Sequence, residues 1–379
     1  MAGIYIHIPF CKSKCNYCNF YSVASLELKT DYVNALLKEI ELQKDYLENE
    51  KVETIYFGGG TPSLLSSNEI NKIINEIKKY FEIEINSEIT LEVNPESLSK
   101  EKIKEISETS VNRLSIGVQS LFDEDLKYLG RIHTAKQSLE AIKNVQKYGF
   151  KNLSIDLIYG IPSLTNEKWI SNLEQIFLLE VPHISAYSLT VESNTPLYNL
   201  IEEGKLNGID EDKIAEQFEI LMKLMYENNY IHYEISNFCK EGFYSLHNSN
   251  YWKQQKYLGI GASAHSYSGI SRQWNVANNT EYINSIINGI IPFEKEILAG
   301  NQKYNEYILT TLRTIWGIDS DYIKNNFGEF YLEYFFKQSD KFVRSEKMIN
   351  KNNIFLLSNN GKIIADTIIR SLFLSCDIC

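Results

Sequence analysis

Long hydrophobic runs and an excess of positive charge are both missing from this 379-residue sequence. No stretch approaches the ~20 apolar residues that span a bilayer, and the start, MAGIYIHIPF, has no basic region ahead of its apolar segment, as a signal peptide would. The formal net charge of −11 argues against broad binding to nucleic acid or anionic membranes. No tandem repeat or low-complexity linker stands out. We therefore expect a cytoplasmic protein that neither spans a membrane nor binds nucleic acid.

Cysteine is scarce, with six residues in the chain, yet three of them fall within eight positions. Cys11, Cys15 and Cys18 stand in CKSKCNYC, directly after an apolar run rich in β-branched residues. Cytoplasmic thiols stay reduced, so such clustering indicates metal or redox ligands rather than disulfides. The chain length and the 44% hydrophobic content allow a large core, with length alone suggesting two domains.

The first 230 residues or so alternate short strand patterns with amphipathic helix patterns. The predicted strands are 3–10, 54–59, 89–95, 113–120, 153–160 and 183–191, and the clearest predicted helices are 30–47, 67–81, 135–149 and 212–229. Such alternation predicts parallel strands with right-handed crossovers. The fold class is therefore α/β, either a doubly wound sheet or a full or partial barrel.

The pattern changes after about residue 230. Residues 233–267 are rich in aromatics, His, Asn and Gly without a helical period, and the chain turns helical from about residue 295. Its last part, NIFLLSNNGKIIADTIIRSLF, predicts a strand, an Asn-Asn-Gly turn and then a strand or helix. We expect a core domain over 1–232, a connecting segment over 233–294 and a small α/β accessory domain, of winged-helix type, over 295–379.

Unusual residues fall at or near the carboxyl end of each predicted strand. They are Cys11, Gly58 to Gly60, Glu92, Gln119 and Asp156. Parallel α/β folds build their sites at that edge. Glu92 and Asp156 are flanked by apolar residues, and an unpaired buried carboxylate costs several kcal/mol. Each should therefore face a polar cavity or a partner, with a structural ion pair as the alternative.

Three clustered thiols are one fewer than a closed metal site needs. Structural zinc takes four ligands, and the fourth would have to be His7, which stands in a strand pattern, or a distant residue. Iron–sulfur clusters that only transfer electrons also take four cysteines. Three thiolates on a four-iron cluster would leave one iron open, where a small molecule can bind.

CKSKCNYC resembles the C-x3-C-x2-C motif of the radical S-adenosylmethionine (SAM) superfamily, including the aromatic Tyr17 before the last cysteine. The resemblance implies a partial (β/α)6, TIM-like barrel whose [4Fe–4S] cluster is held by Cys11, Cys15 and Cys18. In the superfamily, the amino and carboxylate groups of SAM chelate the open iron. An electron from the cluster then cleaves SAM to methionine and a 5′-deoxyadenosyl radical.

Two glycine-rich segments differ in what they indicate. YFGGGTPS (56–63) permits positive φ and close backbone approach to a ligand, and in the superfamily this loop binds the methionine end of SAM. GIGASA (259–264) fits a dinucleotide fingerprint only superficially, because it lacks a βαβ context and a suitably placed acidic residue. We expect no dinucleotide site there.

Longer blocks, from YIHIPFCKSKCNYCNF to YLGIGASAHSY, resemble the oxygen-independent coproporphyrinogen III oxidases and their haem-chaperone relatives. The resemblance implies SAM contacts at eight positions: Tyr5, Gly59, Gly60, Thr61, Glu92, Gln119, Arg131 and Asp156. In these roles Glu92 would accept from an amine, and Gln119 and Asp156 from ribose hydroxyls. Arg131 would offset a carboxylate, with a solvated surface arginine as the alternative.

Three features favour the chaperone branch over the oxidase. The oxidase has an N-terminal extension before its first strand, whereas here the first cysteine is already at position 11. Phe20 stands where the oxidase has a further cysteine. HNSNYW (247–252) fits the H-N-x-x-Y-W motif that is typical of the chaperone group. His247 is then the candidate haem ligand, while Tyr251 and Trp252 offer flat faces to a porphyrin. A hydrogen-bonded loop histidine is the alternative.

The resemblance thus implies a haem chaperone that binds haem, a [4Fe–4S] cluster and SAM, and delivers haem to acceptor proteins such as respiratory enzymes. The alternatives are a coproporphyrinogen III oxidase or another radical enzyme acting on a tetrapyrrole, and a zinc-only module. Whether SAM is cleaved and whether the chain forms a homodimer stay open. Cys239 is expected to be a buried apolar residue, and Cys376 and Cys379 receive no role.

Overall fold

The structure is a computed structural model that describes residues 1–374, so Cys376 and Cys379 lie outside the described residues. Its strands are β1 Ala2–Ile8, β2 Val52–Gly59, β3 Ile83–Val93, β4 Arg113–Gln119, β5 Asn152–Tyr159, β6 His183–Ser188, β7 Ile231–Glu234, β8 Asn237–Cys239, β9 Tyr257–Ile260, β10 His265–Tyr267, β11 Ser271–Asn275, β12 Phe293–Ile297, β13 Ile318–Asp319, β14 Met348–Lys351 and β15 Ile354–Leu357.

The helices follow the strands in regular alternation through the first part of the chain. They are α1 Lys29–Leu42, α2 Ser67–Tyr80, α3 Lys100–Ser107, α4 Asp123–Tyr128, α5 Ala135–Lys147, α6 Asn166–Leu178, α7 Pro196–Glu202, α8 Glu211–Glu227, α9 Leu246–Trp252, α10 Asn279–Ile287, α11 Gly300–Leu312, α12 Ser320–Phe327, α13 Glu329–Arg344, α14 Asn359–Ile363 and α15 Ala365–Leu372. Among the described residues, no helix is both long and apolar enough to cross a bilayer.

Strands β1 to β6 are neighbours in chain order and pair in parallel. A helix follows each of them, which gives a partial (β/α)6 barrel and confirms the predicted α/β fold class. The sheet continues beyond both ends of this unit, through β9 to β12 beside β1 and through β8 and β7 beside β6. The carboxyl ends of the six parallel strands therefore meet at one edge, where the site is expected.

Strand β4 separates apolar from polar side chains by alternation. In β4, Leu114, Ile116 and Val118 are fully buried, whereas the intervening residues, Arg113, Ser115, Gly117 and Gln119, line an internal cavity. Because successive side chains point to opposite faces, the apolar set packs under the helices. The apolar core thus lies between sheet and helices, and the barrel interior is polar and open.

The loop after β2 leads into a well-defined helix start. Ser66 caps α2 by accepting from the Glu69 amide at 3.2 Å, and the Glu69 carboxylate accepts in return from the Ser66 amide at 2.7 Å. This reciprocal capping box satisfies amides that the first helical turn leaves unpaired. It fixes the chain direction immediately after the glycine-rich loop.

A second hydrophobic core lies in the last part of the chain, between Tyr304 and Leu374. It packs the three-stranded sheet β13-β15-β14 against the helices α11 to α15. An ion pair links it to the larger unit, since Nε of Arg313 lies 3.0 Å from a Glu234 carboxylate oxygen. The edge strand β12 belongs to the large sheet, so the residues just after 294 pair with the core unit.

Two local features differ from the sequence prediction. Asn359, Asn360 and Gly361 do not form a hairpin turn but open α14, because the Ser358 hydroxyl accepts from the Gly361 amide and caps the helix. The aromatic segment without a helical period contains the short helix α9. Both elements are under two turns long, too short for periodicity to show.

Candidate functional site

A cavity of about 550 Å³ opens at the carboxyl edge of the barrel strands and reaches into the barrel. Ten of the predicted site residues line it: Cys11, Cys15, Cys18, Gly59, Gly60, Thr61, Glu92, Gln119, Arg131 and Asp156. The two remaining predicted residues, Tyr5 and His247, lie behind this lining. The fold thus brings residues from five strands and the loops that follow them to one place.

The three cysteines stand on the loop that follows β1. The Cys11 amide donates to the Val23 carbonyl at 3.0 Å, and the Cys18 amide donates to the Cys15 carbonyl at 3.4 Å, which folds the loop back on itself. All three are free thiols and half-buried. Burial raises the pKa of Cys11 and Cys18 above its usual value.

The glycine-rich loop packs directly against the first cysteine. The Gly60 amide donates to the Ile8 carbonyl at 2.9 Å, and the Thr61 amide donates to the Phe10 carbonyl at 2.7 Å. A Cβ on Gly60 would lie 2.7 Å from the Phe10 carbonyl oxygen and 2.9 Å from Sγ of Cys11. Only glycine fits there, so the loop backbone and the thiol share one wall of the cavity.

The donor set fits an iron–sulfur cluster with one iron left free. Three thiols from one loop line a cavity that also holds backbone amides, carboxyls and an arginine. Within residues 1–374, no three His, Cys, Asp or Glu side chains are grouped to hold a single metal ion, which gives no support to the zinc-only alternative. A four-iron cluster is larger than one ion, and its thiolate ligands stand further apart.

Glu92 faces the cavity with both carboxyl oxygens hydrogen-bonded. The Tyr56 hydroxyl donates to one oxygen at 2.7 Å, and the Gly59 amide donates to the other at 3.2 Å. Burial, reinforced by the charge of Asp156, raises the pKa of Glu92 to about 7. Glu92 therefore stands poised between its neutral and charged forms near neutral pH.

Asp156 lies on β5, two strands along the sheet from Glu92 on β3. The Ser115 hydroxyl lies 3.3 Å from both of its carboxyl oxygens, and burial raises the pKa of Asp156 to about 6. In the described part of the chain, neither Asp156 nor Glu92 has a Lys, Arg or His nitrogen within ion-pair distance. Their surroundings match the polar cavity rather than the structural ion pair.

Arg131 is fixed inside the site rather than solvated at the surface. Its guanidinium donates to Sγ of Cys15 at 3.3 Å, to Oδ1 of Asn94 at 2.7 Å and to the Gly117 carbonyl at 3.0 Å. These contacts show that the surface-arginine alternative is wrong. They place a permanent positive charge beside the cysteine loop.

Gln119 ends β4 with a φ of +67°, a backbone conformation that residues other than glycine seldom adopt. The pairing of β4 with β5 shifts register between Gly117 and Gln119, which marks a bulge at this position. Backbone strain of this kind concentrates at functional sites. The bulge turns the Gln119 side chain toward the cavity, which it lines.

His7 has both ring nitrogens occupied within the barrel wall. Nε2 lies 2.9 Å from the Tyr21 carbonyl, and Nδ1 lies 3.2 Å from the Tyr5 hydroxyl. Burial lowers the pKa of His7. His7 is therefore a barrel residue and not a fourth ligand beside the cysteines.

His247 lies on α9 behind the cavity wall and is 2% exposed. Nδ1 lies 2.8 Å from Oγ1 of Thr54, and Nε2 lies 2.9 Å from the Tyr251 hydroxyl. The ring stacks on Tyr56, with centroids 4.9 Å apart. Burial lowers the pKa of His247 to about 3, so the imidazole is neutral, the form that binds iron.

The other aromatic residues of the HNSNYW segment are also engaged. Tyr251 packs edge-on against Tyr257 with centroids 4.5 Å apart, and the Arg313 guanidinium lies 5.5 Å from the Trp252 ring. Asn248, the second residue of the segment, does line the cavity. The segment thus joins the cavity at Asn248 and is packed away from it at the aromatic positions.

The structure adds site residues that the sequence analysis missed. They are Tyr56, Asn94, Arg113, Ser115 and Asn248. For Arg113 and Ser115 a signal was available, since polar residues occupy every second position of RLSIGVQ. Asn248 had no such signal, because its place depends on how α9 packs against the barrel.

Comparison with known proteins identifies the family. Residues 5–176 match the radical SAM superfamily, which implies a [4Fe–4S] cluster and SAM. The chain is similar to "Heme chaperone HemW" of Lactococcus lactis subsp. lactis (34% identity over 98% of this chain and 97% of the relative). The HemW of Bacillus subtilis is equally similar (34% identity over 97% and 98%).

A solved structure shows the same fold. Coproporphyrinogen III oxidase (HemN) from Escherichia coli superposes with a TM-score of 0.85 at 19% identity, covering 98% of this chain and 90% of that one. At this identity the likeness shows the fold alone. The curated relatives, which are 34% identical over nearly the whole chain, show more. This chain belongs to the HemW family of the radical SAM superfamily.

Proposed function

We propose that the protein is a haem chaperone that binds haem through His247 and passes it to acceptor proteins. The observation that carries this proposal is the state of the His247 ring, which is neutral and held by a hydrogen bond between Nδ1 and Thr54. If Nδ1 carries the proton and donates to Thr54, the lone pair of Nε2 is free to bind a metal. A fixed tautomer of this kind is what second-shell contacts give to histidine ligands.

Haem binding at His247 requires a local rearrangement. In that tautomer Nε2 accepts from the Tyr251 hydroxyl, 2.9 Å away, and both side chains belong to α9. Iron at Nε2 replaces that hydrogen bond, which is worth about 1 kcal/mol. The closed arrangement shields the ligand when no haem is bound, and opening it also moves the Tyr251 ring away from Tyr257.

Cys11, Cys15 and Cys18 would hold the [4Fe–4S] cluster, whose fourth iron would bind SAM and supply electrons to it. Different cavity residues then contact different parts of SAM. Glu92 accepts from the amine, and Gln119 and Asp156 accept from the ribose hydroxyls. Arg131 balances negative charge at the Cys15 side of the cavity, where it already donates to sulfur.

The competing function is a radical reaction on a tetrapyrrole, such as oxidative decarboxylation of coproporphyrinogen III. One sample decides between the two: anaerobically reconstituted protein is titrated with haemin and assayed in parallel with coproporphyrinogen III, SAM and a reductant. The chaperone function predicts a Soret shift that saturates and no decarboxylated product. Decarboxylated product, or no Soret shift, would contradict it.

The acceptors we propose are haem proteins such as respiratory enzymes, and the proposed location is the cytoplasm. Transfer is measured by mixing haem-loaded protein with an apo-acceptor and following haem in each after separation. The homodimer left open by the sequence is tested by sedimentation of the reconstituted protein with and without haem.

A further inference from the structure

Arg113 is a buried cation without hydrogen bonds of its own. It begins β4, is 1% exposed and lines the deep part of the cavity. Nε has no hydrogen-bond partner and stands 3.8 Å from a Glu88 carboxylate oxygen. Arginine stays charged at any relevant pH and carries five N–H donors, so this guanidinium is incompletely satisfied.

Glu88 satisfies Arg113 only in part, because the two side chains form an ion pair at 3.8 Å without a hydrogen bond, and both Glu88 oxygens accept from helix amides. One oxygen accepts from the Leu246 amide at 3.2 Å and the other from the His247 amide at 3.1 Å. These two amides begin α9, whose N-terminal end favours a carboxylate. Glu88 therefore serves the helix, and Arg113 is left facing the cavity.

The cavity wall that Arg113 shares is polar. Ser115, Ser154 and Ser185 line the same cavity, where the Ser115 hydroxyl donates to Asp156 and the Ser154 hydroxyl lies 2.7 Å from Nδ1 of His183. Asp156 also lines it, but no carboxylate other than Glu88 lies within ion-pair distance of Arg113 in the described chain. A buried guanidinium whose Nε has no partner, on the wall of a polar cavity, is a site for a carboxylate, which arginine binds through two parallel hydrogen bonds.

The anion is not the carboxylate of SAM. That group belongs at the cysteine end, where Arg131 contacts Cys15 and the Gly117 carbonyl. Gly117 follows Arg113 by four residues in one strand, a rise of about 13 Å. The two arginines therefore serve opposite ends of the cavity, and Arg113 takes a second ligand.

We propose that Arg113 binds a carboxylate of that second ligand and, on the proposed function, that this carboxylate is a haem propionate. The link to His247 is short, because Glu88 contacts Arg113 with one oxygen and holds the His247 amide with the other. Asn248, next in the chain, lines the same cavity. His247, the proposed iron ligand, and Arg113, the proposed carboxylate site, thus lie on either side of Glu88.

The test compares haemin with haemin dimethyl ester, which has the same iron and ring but no free carboxylate. Both are titrated into the reconstituted full chain. We expect the ester to bind roughly tenfold to hundredfold more weakly, as expected for loss of a charge-assisted hydrogen bond. Arg113→Gln should weaken haemin binding by a similar factor and leave ester binding unchanged. Arg344→Gln, which removes an exposed arginine, should leave both affinities unchanged.

The outcomes separate this inference from the function on which it rests. Equal affinities of the wild type for haemin and ester would overturn the carboxylate site while leaving haem binding intact. Absence of haem binding would overturn both. Loss of the discrimination in Lys14→Gln but not in Arg113→Gln would place the carboxylate at the cavity mouth and refute the role of Arg113. Should Arg113→Gln fail to fold, as judged by circular dichroism and iron content, Arg113→Lys takes its place. This variant keeps the charge but loses the paired donors, and unchanged discrimination between haemin and ester would refute the role of Arg113.

Discussion

The Tyr251 hydroxyl covers Nε2 of His247, the nitrogen proposed to bind iron, at a distance of 2.9 Å. The two residues are four positions apart on α9, the spacing that places side chains on one helical face. The H-N-x-x-Y-W pattern therefore places the proposed ligand and the side chain that covers it on one helical face. In this arrangement the proposed haem ligand is covered.

Replacing Tyr251 by Phe should tighten haem binding about fivefold, because iron no longer has to displace a hydrogen bond worth about 1 kcal/mol. The affinity is measured by Soret titration of the reconstituted protein. Tyr226→Phe, at an 83% exposed tyrosine, is the control and should behave as wild type. Unchanged or weaker binding in Tyr251→Phe would show that the hydroxyl does not shield the ligand.

SAM affinity should depend on pH through Glu92. Burial raises the pKa of Glu92 to about 7, so the carboxylate proposed to accept from the SAM amine is mostly ionised at pH 8 and mostly protonated at pH 6. Affinity should fall about tenfold between these values, since one pH unit below the pKa leaves about a tenth of the group ionised. Equilibrium binding of SAM to reconstituted protein measures it.

The matched control for this dependence is Glu92→Gln, which keeps the size of the side chain and removes its charge. The variant should bind SAM weakly at both pH values and lose the tenfold slope. A slope that survives in Glu92→Gln would assign the titration to another group.

Arg131 should tune the cluster electrostatically. It donates to Sγ of Cys15 at 3.3 Å, and hydrogen bonds and charge near the sulfurs set cluster potentials. Arg131→Gln should therefore shift the reduction potential to more negative values, on the order of 50 mV, which is about a tenfold change for one electron. A potentiometric titration monitored by electron paramagnetic resonance measures the reduction potential of the wild type and the variant at matched iron content. An unshifted potential would show that the contact is only structural.

Gly60 should tolerate no side chain. A Cβ there would meet the Phe10 carbonyl at 2.7 Å and Sγ of Cys11 at 2.9 Å, so Gly60→Ala should cost about 1–3 kcal/mol of stability and lower the iron content after reconstitution. Gly208→Ala is the control, since its nearest neighbour would be 3.8 Å away. Equal melting temperatures and iron contents in the two variants would contradict the close packing of loop and thiol.

The barrel and most of its site could be predicted because each strand carries its own signal. Alternation and apolar content located β4 and β5 to within a residue or so, and the motif residues at strand ends identified the cavity edge. Glu92, Gln119 and Asp156 stand on different strands, but parallel pairing brings their ends together. For these residues, position in a strand is enough to predict position in the fold.

What could not be predicted depends on contacts between distant segments. The guanidinium of Arg131 is held by Cys15 and Asn94, 116 and 37 positions away, and no local pattern distinguishes it from a surface arginine. His247 is buried against Thr54, 193 positions away, which a loop-like composition does not suggest. The prediction of an Asn-Asn-Gly turn was wrong for a local reason. The Ser358 hydroxyl accepts from the Gly361 amide and caps a helix that begins there instead.

The central claim, that haem binds to this radical SAM scaffold through His247, is tested most directly by titrating haemin into reconstituted wild type and His247→Ala. The wild type should give a saturating Soret shift typical of histidine ligation. His247→Ala should keep its iron–sulfur content and its secondary structure while losing that shift. An identical Soret spectrum and affinity in the two proteins would contradict the account.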